Sequence, residues 1–386
     1  MSSEMQPIPA EAVENRLAAI VLAAGYSSRM TEFKPLLPLA SSTALERCIG
    51  LFRAAGVAEV IVVLGYRAEE LRSLVERAGA RWVRNPRFEQ GMFSSISVGS
   101  HALAGWVEAA FVLPADIPLI RPHTIRQLAA TFVSKRAGVV YPDFEGRRGH
   151  PPLIARKILA EAAEEGTAGP LSALLARHES EAIEIQVCDQ GIHMDMDTPA
   201  DYERLSVLAD NRDIPTRAEC EALLATQSVD LYLVRHSRKV AEVVERIALA
   251  LVRSGLSLNL ELMRAGALLH DVAKGRPDHA AVGAEFLRSM DFPRVATVVG
   301  AHTELDFSGG QLDESAIVYL ADKLVRGDSP VTLDQRFQIA LARFSNDPHT
   351  LHAVQNRMAT AQAVAQAVEA RLGAPISSVV NEAGKP

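Results

Sequence analysis

Two stretches of this 386-residue chain gather side chains able to work on phosphate. The first, "AAIVLAAGYSSRMTEFKPLLPL" from Ala18 to Leu39, closes a strand-like apolar run with Ala23, Ala24 and Gly25, so a ligand can approach the backbone without meeting bulk. The turn that follows offers backbone N–H groups. Ser27 and Ser28 add short donors, and Arg29 and Lys34 bring charge that would neutralise a polyphosphate. The same residues would also serve a small-residue turn carrying two solvated cations, and spacing alone does not separate the two readings. Neither a Walker-type loop nor a GxGxxG fingerprint is present.

The second stretch is "GALLHDVAKG", Gly266 to Gly275. An apolar helical pattern leads into His270 and Asp271, a pair that is costly to bury unless paired or metal-bound. Neighbouring residues on a helix point about 100° apart, so one helix cannot surround an ion. The further ligands would come from other segments: His236 in "LVRHSRKVAEV", His279 in "RPDHAAVGAEF", His302 in "VGAHTEL" and Asp322 in "AIVYLADKLV". Each has a plain alternative. A solitary helical histidine is more often a packed or surface residue, and Asp322 could pair with Arg326 one turn on.

The elements that must hold these residues fall into two patterns. Strands are expected at Ala18–Ala24, Glu59–Gly65, Arg81–Asn85, Ala109–Asp116, Ala137–Pro142 and Ala182–Val187, with helical runs between them that stop at Gly56 and Gly79. Such alternation predicts an α/β, Rossmann-like, mostly parallel sheet covered by helices, with ligands at the carboxyl ends of the strands. After Asp197 a helix begins with Thr198 as cap and Pro199 in its first turn. A polar stretch, residues 210–216, reads as a linker, and from 217 to 386 the pattern is all-helical. The expected organisation is a disordered tail (1–15), an α/β domain (16–209), the linker, and an all-α domain (217–386).

Composition narrows the class. A hydrophobic share of 48% suits globular domains with sizeable cores, and a net charge of −7 gives no general surface for nucleic acid. Cys48, Cys188 and Cys220 are isolated, which argues against disulfides and a thiolate zinc site and fits a reducing compartment. Apolar runs are much shorter than the ~20 residues of a membrane-spanning helix, and residues 1–15 do not resemble a secretory signal. The expectation is a cytoplasmic protein with no membrane partner.

Five ordered blocks in the first half carry a resemblance. They are "LAAGYSSRMTEFKPLLP", "RNPRFEQGMFSSISVG" (Arg84–Gly99), "LPADIPLI" (Leu113–Ile120), "GHPPLI" (Gly149–Ile154) and "MDMDTPADYERL" (Met194–Leu205). Together they resemble the MobA-like nucleotidyltransferases, and most closely the molybdenum cofactor cytidylyltransferases. The short Arg29–Lys34 gap suits this branch better than the sugar-phosphate nucleotidyltransferases. The resemblance implies that Ala23, Ala24 and Gly25 border the nucleotide while Arg29 and Lys34 hold its phosphates. Asp116 and Asp197 would bind Mg²⁺, with Asp195 close by. Asn85, Gln90, Ser94 and Ser95 would line the base or acceptor side, and Gly149 and His150 would sit near a pterin. The acceptor's own phosphate attacks, so no protein nucleophile is needed and positioning dominates. Taken singly, Asp116 could be a turn residue, Asp197 part of a helix start, and His150 a packing residue. Thr31 and the segment "LASSTALE" depart from the family, which usually has Gly at both places.

The series His236, His270-Asp271, His279, His302, Asp322 resembles the HD superfamily of metal-dependent phosphohydrolases over roughly residues 217–327, and "YLADKLV" is similar to the last motif of its diadenosine-tetraphosphate hydrolase relatives. The resemblance implies that His236, His270, Asp271 and Asp322 hold one Fe or Mn ion. His279 and His302 would extend the site to a second, and Lys274 would contact substrate phosphate or be solvated. The expected whole is a cytidylyltransferase acting on CTP and a molybdopterin-type phosphate, fused to a phosphohydrolase, with a molybdoenzyme or chaperone as partner. The alternative is transfer from GTP or UTP to another small phosphorylated acceptor, with the helical domain acting as a nucleotide sensor.

Overall fold

The computed structural model describes residues 16–27, 30, 32–165 and 169–380. The tail expected over residues 1–15, together with Ser28, Arg29 and Thr31, lies outside them. The chain divides between Arg212 and Asp213 into two compact units. Arg212 donates to Asp189 in the first, and Asp213 accepts from Arg294 in the second at 3.4 Å.

The first unit begins with β1 (Leu17–Ala23), buried along its whole length, as befits a central strand covered on both faces. A small hairpin, β2 (Pro38–Leu39) and β3 (Ser42–Thr43), leads into α1 (Ala44–Ala54), where Thr43 and Glu46 form a capping box. Then come β4 (Glu59–Leu64), α2 (Ala68–Arg77), β5 (Arg81–Arg84), α3 (Met92–His101), β6 (Ala109–Pro114), α4 (Pro122–Lys135) and β7 (Val139–Phe144). The unit ends with β8 (Arg147–Arg148), β9 (Leu153–Ala155), α5 (Arg156–Glu165), α6 (Leu171–Arg177), β10 (Ala182–Gln186) and α7 (Pro199–Asp210). The sheet runs β10-β7-β9-β6-β1-β4-β5, with β8 on β7. β1, β4, β5 and β6 are mutually parallel, as are β7 and β10.

The six expected strands are present with ends shifted by up to two residues. The short β8 and β9 were not expected. β9 runs antiparallel between β6 and β7, and its three residues are too few to show a strand period. α3 lies close on β1 because Gly99 leaves room there; a Cβ would come within 2.5 Å of Ile20 Cγ2. Thr198 caps α7 with Asp201 completing a capping box and Pro199 in the first turn, as expected.

The second unit contains α8 (Arg217–Thr226), α9 (Leu231–Arg253), α10 (Leu260–Leu269), α11 (His279–Ser289), α12 (Pro293–Ala301) and α13 (Glu314–Lys323). A two-residue ladder, β11 (Val325–Arg326) with β12 (Ser329–Pro330), precedes α14 (Leu333–Arg343), α15 (Pro348–Leu372) and α16 (Ile376–Val380). The unit is helical as expected apart from this hairpin, which is too short to register as alternation. α10 and α12 meet closely at Gly266, where a Cβ would stand 2.5 Å from Val298 Cγ1. No helix among the described residues is long and apolar enough to cross a membrane.

Ala40 occupies the first central position of the β2–β3 turn at φ 52°. A left-handed alanine costs about 1–2 kcal/mol, whereas the added freedom of an unfolded glycine costs about 0.4–1 kcal/mol. Ala40→Gly is therefore expected to stabilise the first unit by about 0.5–1 kcal/mol, read as a higher urea midpoint for its unfolding.

Candidate functional site

In the first unit the parallel strands β1, β4 and β6 deliver their carboxyl ends to one edge, where ligands of such sheets collect. Ala23, Ala24 and Gly25 leave β1 there, and the Ala115 N–H bonds the Leu22 carbonyl at 3.0 Å, placing Asp116 beside them. Gly65, just past β4, was not singled out from the sequence. A Cβ there would be 2.8 Å from Ala24, so it is the absence of a side chain that lets this wall close.

The chain then turns at Ser27, which has φ 57°, and Ser27 Oγ accepts from the Lys34 N–H at 3.1 Å. This fixes Lys34 at the start of a 3-10 turn. Its ammonium reaches Asp197 Oδ1 at 2.8 Å and Asp116 Oδ2 at 3.4 Å. Burial raises the Asp116 carboxyl above its ordinary value, with Asp197 adding to the effect and Lys34 opposing it.

Asp197 is held by its neighbours. Met196 is fully buried against Leu37, Leu39, Leu119 and Leu205, and its N–H bonds the Asp116 carbonyl at 2.9 Å. Asp189, also buried, anchors the start of this segment. It accepts from the Arg121 N–H at 2.8 Å, the Thr124 hydroxyl at 2.7 Å, the Gly191 N–H at 3.0 Å and Arg212.

A cavity of about 580 Å³ opens at these residues, and its lining includes Ala23–Gly25, Tyr26, Lys34, Phe88, Glu89, Met92, Asp116 and Asp197. Its volume lies within the ~300–1,000 Å³ typical of small-molecule sites. Of the residues expected on the base or acceptor side, Ser95 lines it. Asn85 and Ser94 do not. Asn85 is fully buried and donates to Ser94 Oγ at 2.8 Å and Ser95 Oγ at 3.0 Å, while accepting from the Arg87 N–H at 2.9 Å. Its hydrogen-bonding capacity is spent bracing the start of α3. Gln90 is exposed and outside the lining, its neighbours Glu89 and Gly91 taking that place.

Gly149 packs on Ile192, where a Cβ would approach to 2.6 Å. His150 is half-buried; its Nδ1 has no hydrogen-bond partner, and burial lowers its basicity while Asp116 and Asp195 work against that. Neither residue lines the cavity. Ser28 and Arg29 lie outside the described residues.

In the second unit all six expected ligands converge. His236 comes from the second turn of α9, and His279 from the first position of α11. His270 and His302 are not inside helices; they stand just past the carboxyl ends of α10 and α12, with Asp271 in the turn beyond. Asp322 lies in the last turn of α13 rather than midway along it. Three helix carboxyl ends, each partly negative, therefore meet at a place suited to a cation.

The imidazoles are oriented through their backbone contacts. Nδ1 of His236 meets the Gly327 carbonyl at 2.8 Å, Nδ1 of His270 the Ala267 carbonyl at 2.8 Å, and Nδ1 of His302 the Val299 carbonyl at 2.6 Å. Each Nδ1 carries the proton in that contact, leaving the Nε2 lone pair for the site. The Gly327 carbonyl belongs to the β11–β12 turn, so the unexpected hairpin is what aims His236.

His236 Nε2 is 3.2 Å from Asp322 Oδ1, and His302 Nε2 is 3.4 Å from Asp271 Oδ1. His270 Nε2 is buried without any hydrogen-bond partner, 3.5 Å from Asp271 Oδ2 and 3.6 Å from Asp322 Oδ1. Burial lowers its pKa to about 4, so it is a neutral donor of a lone pair at pH 7. An orphaned buried nitrogen costs about 1–3 kcal/mol, which a bound ion would remove. The donors His236, His270 and Asp271 lie within 4.8 Å of one another, as do Asp271, His279 and His302. Nitrogen and oxygen donors of this kind fit one or two first-row divalent ions, with Asp271 common to both groups.

Two lysines hold the carboxylates. Lys274 bonds Asp271 Oδ1 at 3.1 Å. Lys323, which the sequence did not single out, is buried and donates to Asp322 Oδ2 and to the His302 carbonyl, both at 2.7 Å. Asp322 thus pairs with His236 and Lys323 rather than with Arg326. Burial alone would raise both carboxyls. His270, His279, His302 and Lys274 hold Asp271 below the ordinary range, and Lys323, His236 and His270 do the same for Asp322.

Residues 19–182 match the MobA-like NTP transferase domain, and residues 233–327 match the HD domain. Among curated proteins, the chain is similar to the molybdenum cofactor cytidylyltransferase of Escherichia coli (strain K12), 27% identical over 184 residues that are 47% of this chain and 92% of that protein. It is also similar to the bifunctional protein GlmU of Gloeobacter violaceus, 35% identical over 149 residues that are 34% of this chain and 32% of that protein. The chain thus spans about a third of that relative's length. Among solved structures, a nucleotidyl transferase from Methanothermobacter thermautotroptrophicus is 24% identical with a TM-score of 0.45, over 51% of this chain and 99% of that one.

The donor geometry of the second unit predicts that Mn²⁺ at about 100 times its dissociation constant raises the unfolding free energy of that unit by about 2.7 kcal/mol. The accompanying rise in melting temperature is expected to disappear in His270→Ala. An equal rise in that variant would show that the ion binds elsewhere.

Proposed function

For a chain that carries a MobA-like NTP transferase domain and an HD domain, and so a nucleotidyltransferase, we infer CTP:molybdopterin cytidylyl transfer in the first unit and metal-dependent phosphoester hydrolysis in the second. The observation that carries the first reading is the placing of one ammonium and two carboxylates at the strand-end side of a cavity large enough for a nucleotide. Similarity to a molybdenum cofactor cytidylyltransferase supports CTP and a molybdopterin phosphate as the substrates.

In this reading an oxygen of the acceptor's phosphate attacks the α-phosphorus of CTP. The bond to the bridging oxygen of the β-phosphate breaks, and pyrophosphate leaves with that electron pair. Ala23, Ala24 and Gly25 let the triphosphate lie against backbone, and Lys34 faces its charge, a role the resemblance also gives to Arg29. Asp116 and Asp197 would hold Mg²⁺, which when bound supplies positive charge to the phosphate oxygens. Lys34 keeps the two carboxylates together and aimed at the cavity. Ser95, in the cavity wall, would border the ring of one substrate, and Gly149 and His150 are assigned to the acceptor by the resemblance alone.

In the second unit His236, His270, Asp271 and Asp322 would hold one ion and His279 and His302, with Asp271, another. Such ions supply an activated water and polarise a phosphoester. Iron or manganese suits the donor set. Lys274, partly exposed beside Asp271, would meet a substrate phosphate.

A second reading, transfer from GTP or UTP to another phosphorylated acceptor with the helical unit as a nucleotide sensor, draws on the similarity to GlmU. Pyrophosphate release from each nucleotide in the presence of molybdopterin separates the two. CTP is expected to turn over, and turnover with GTP or UTP alone would replace the first reading by the second. Asp116→Asn is expected to lower kcat by about 10²–10³, the usual loss when one charge-stabilising group is removed. His270→Ala is expected to abolish hydrolysis of nucleotide phosphoesters while leaving pyrophosphate release from CTP unchanged.

A further inference from the structure

The two donor groups of the helical unit differ in how they stand without an ion. In the first, His236 and His270 are buried, and the Nε2 of His270 has no hydrogen-bond partner among the described residues. A buried lone pair left in this way is arranged for a cation.

The second group is satisfied from within. His279 Nε2 and His302 Nε2 lie 3.2 Å apart. Nδ1 of His302 gives its proton to the Val299 carbonyl, so in the neutral ring Nε2 accepts and that of His279 donates. Asp271 divides its oxygens between the groups. Oδ2 faces His270 at 3.5 Å, while Oδ1 lies 3.5 Å from His279 Nε2 and 3.4 Å from His302 Nε2. That same Oδ1 accepts from the Lys274 ammonium at 3.1 Å. Lys274 therefore stands on the one oxygen that a cation between Asp271, His279 and His302 would use.

Charge points the same way. Asp271 and Asp322 carry one negative charge each, Lys274 and Lys323 one positive charge each, and an imidazole that holds an ion is neutral. These four charges cancel, so the first divalent ion leaves the centre positive. A second ion about 3.5–4 Å from it would meet that charge and the Lys274 ammonium together. A phosphate group brings negative charge to the ions and offers the ammonium oxygens of its own. It comes from the open side: the side chains of Lys274 and His279 are 44% and 23% exposed, that of His270 only 1%. The Lys274 N–H bonds the Asp271 carbonyl at 2.9 Å, so the turn holds its shape while the long side chain swings.

We propose that Lys274 gates the second ion: the unit holds one divalent ion at rest, and the lysine yields Asp271 Oδ1 to another only when a phosphate group arrives to take its ammonium. His279 then carries its proton on Nδ1 and turns the Nε2 lone pair inward. The proposal rests on the phosphohydrolase reading, in which the phosphoester substrate supplies that phosphate.

The test uses the full chain, stripped of metal with a chelator and loaded with Mn²⁺, and reads its electron paramagnetic resonance spectrum with and without inorganic phosphate. Two Mn²⁺ ions about 3.5–4 Å apart are magnetically coupled and give a spectrum unlike that of isolated ions. The wild type is expected to show isolated ions alone until phosphate is added, and coupled ions afterwards. Lys274→Met and Lys274→Gln, which remove the charge at an exposed position, are expected to show coupled ions without phosphate. Lys274→Arg, which keeps the charge, should stay phosphate-dependent. His279→Ala should lose the coupled spectrum under both conditions, which assigns that spectrum to the helical unit.

Coupled ions in the wild type before phosphate is added would overturn the proposal. So would Lys274→Met and Lys274→Gln spectra that still wait for phosphate, or a coupled spectrum that survives His279→Ala. Failure of the hydrolase reading looks different: the spectrum would follow phosphate and Lys274 as stated, yet the Mn²⁺-loaded wild type would hydrolyse no nucleotide phosphoester. If hydrolysis proceeds and no coupled ions form with phosphate, the gate falls and the hydrolase reading stands.

Discussion

Carboxylates do not gather unaided, and both sites of this protein are built on gathered carboxylates. Two like charges about 4 Å apart repel by roughly 4 kcal/mol at an effective dielectric constant near 20. In the first unit one ammonium, that of Lys34, lies against both Asp116 and Asp197. In the second, Lys323 pairs with Asp322 and Lys274 with Asp271, while imidazoles fill the space between. Removing such an ammonium leaves acidic groups exposed to one another, so the lysines belong to the architecture of the sites as much as to their chemistry.

Close approach of backbones is the second requirement. Gly65 lets the end of β4 lie against Ala24, Gly99 seats α3 on β1, and Gly266 lets α10 meet α12. The last of these brings the His270 and His302 rings to 5.2 Å between centroids, one turn beyond the contact. Neither site is a property of its ligating residues alone. Each is where elements with missing side chains come near enough for polar groups on different segments to touch.

Much of this was legible in the sequence, for physical reasons that differ by element. Parallel strands such as β1 and β4 are continuous β-branched and apolar runs, and helix starts such as Thr198-Pro199 carry their caps in the chain itself. The six histidine and aspartate positions of the helical unit were readable from their order along the chain and the family it resembles, since each taken singly has a plain packing alternative. β9 and the β11–β12 hairpin were not readable, since two or three residues establish no period, although the hairpin supplies the carbonyl that aims His236. Asn85 and Ser94 look like ligand-facing polar groups until burial shows them satisfying each other. Lys323 looks like any lysine at the end of a helix; only the fold around it reveals that it is buried.

Asp271 belongs to both donor groups of the helical unit, and that sharing governs how the unit can be dissected and how it can evolve. A change at this position strikes both halves of the cluster at once, whereas His279 and His302 touch only one. A descendant with a single ion would arise by loss of those two imidazoles, with the aspartate kept. The wear of such a centre over time should therefore be uneven, concentrated on the flank that the other half can do without.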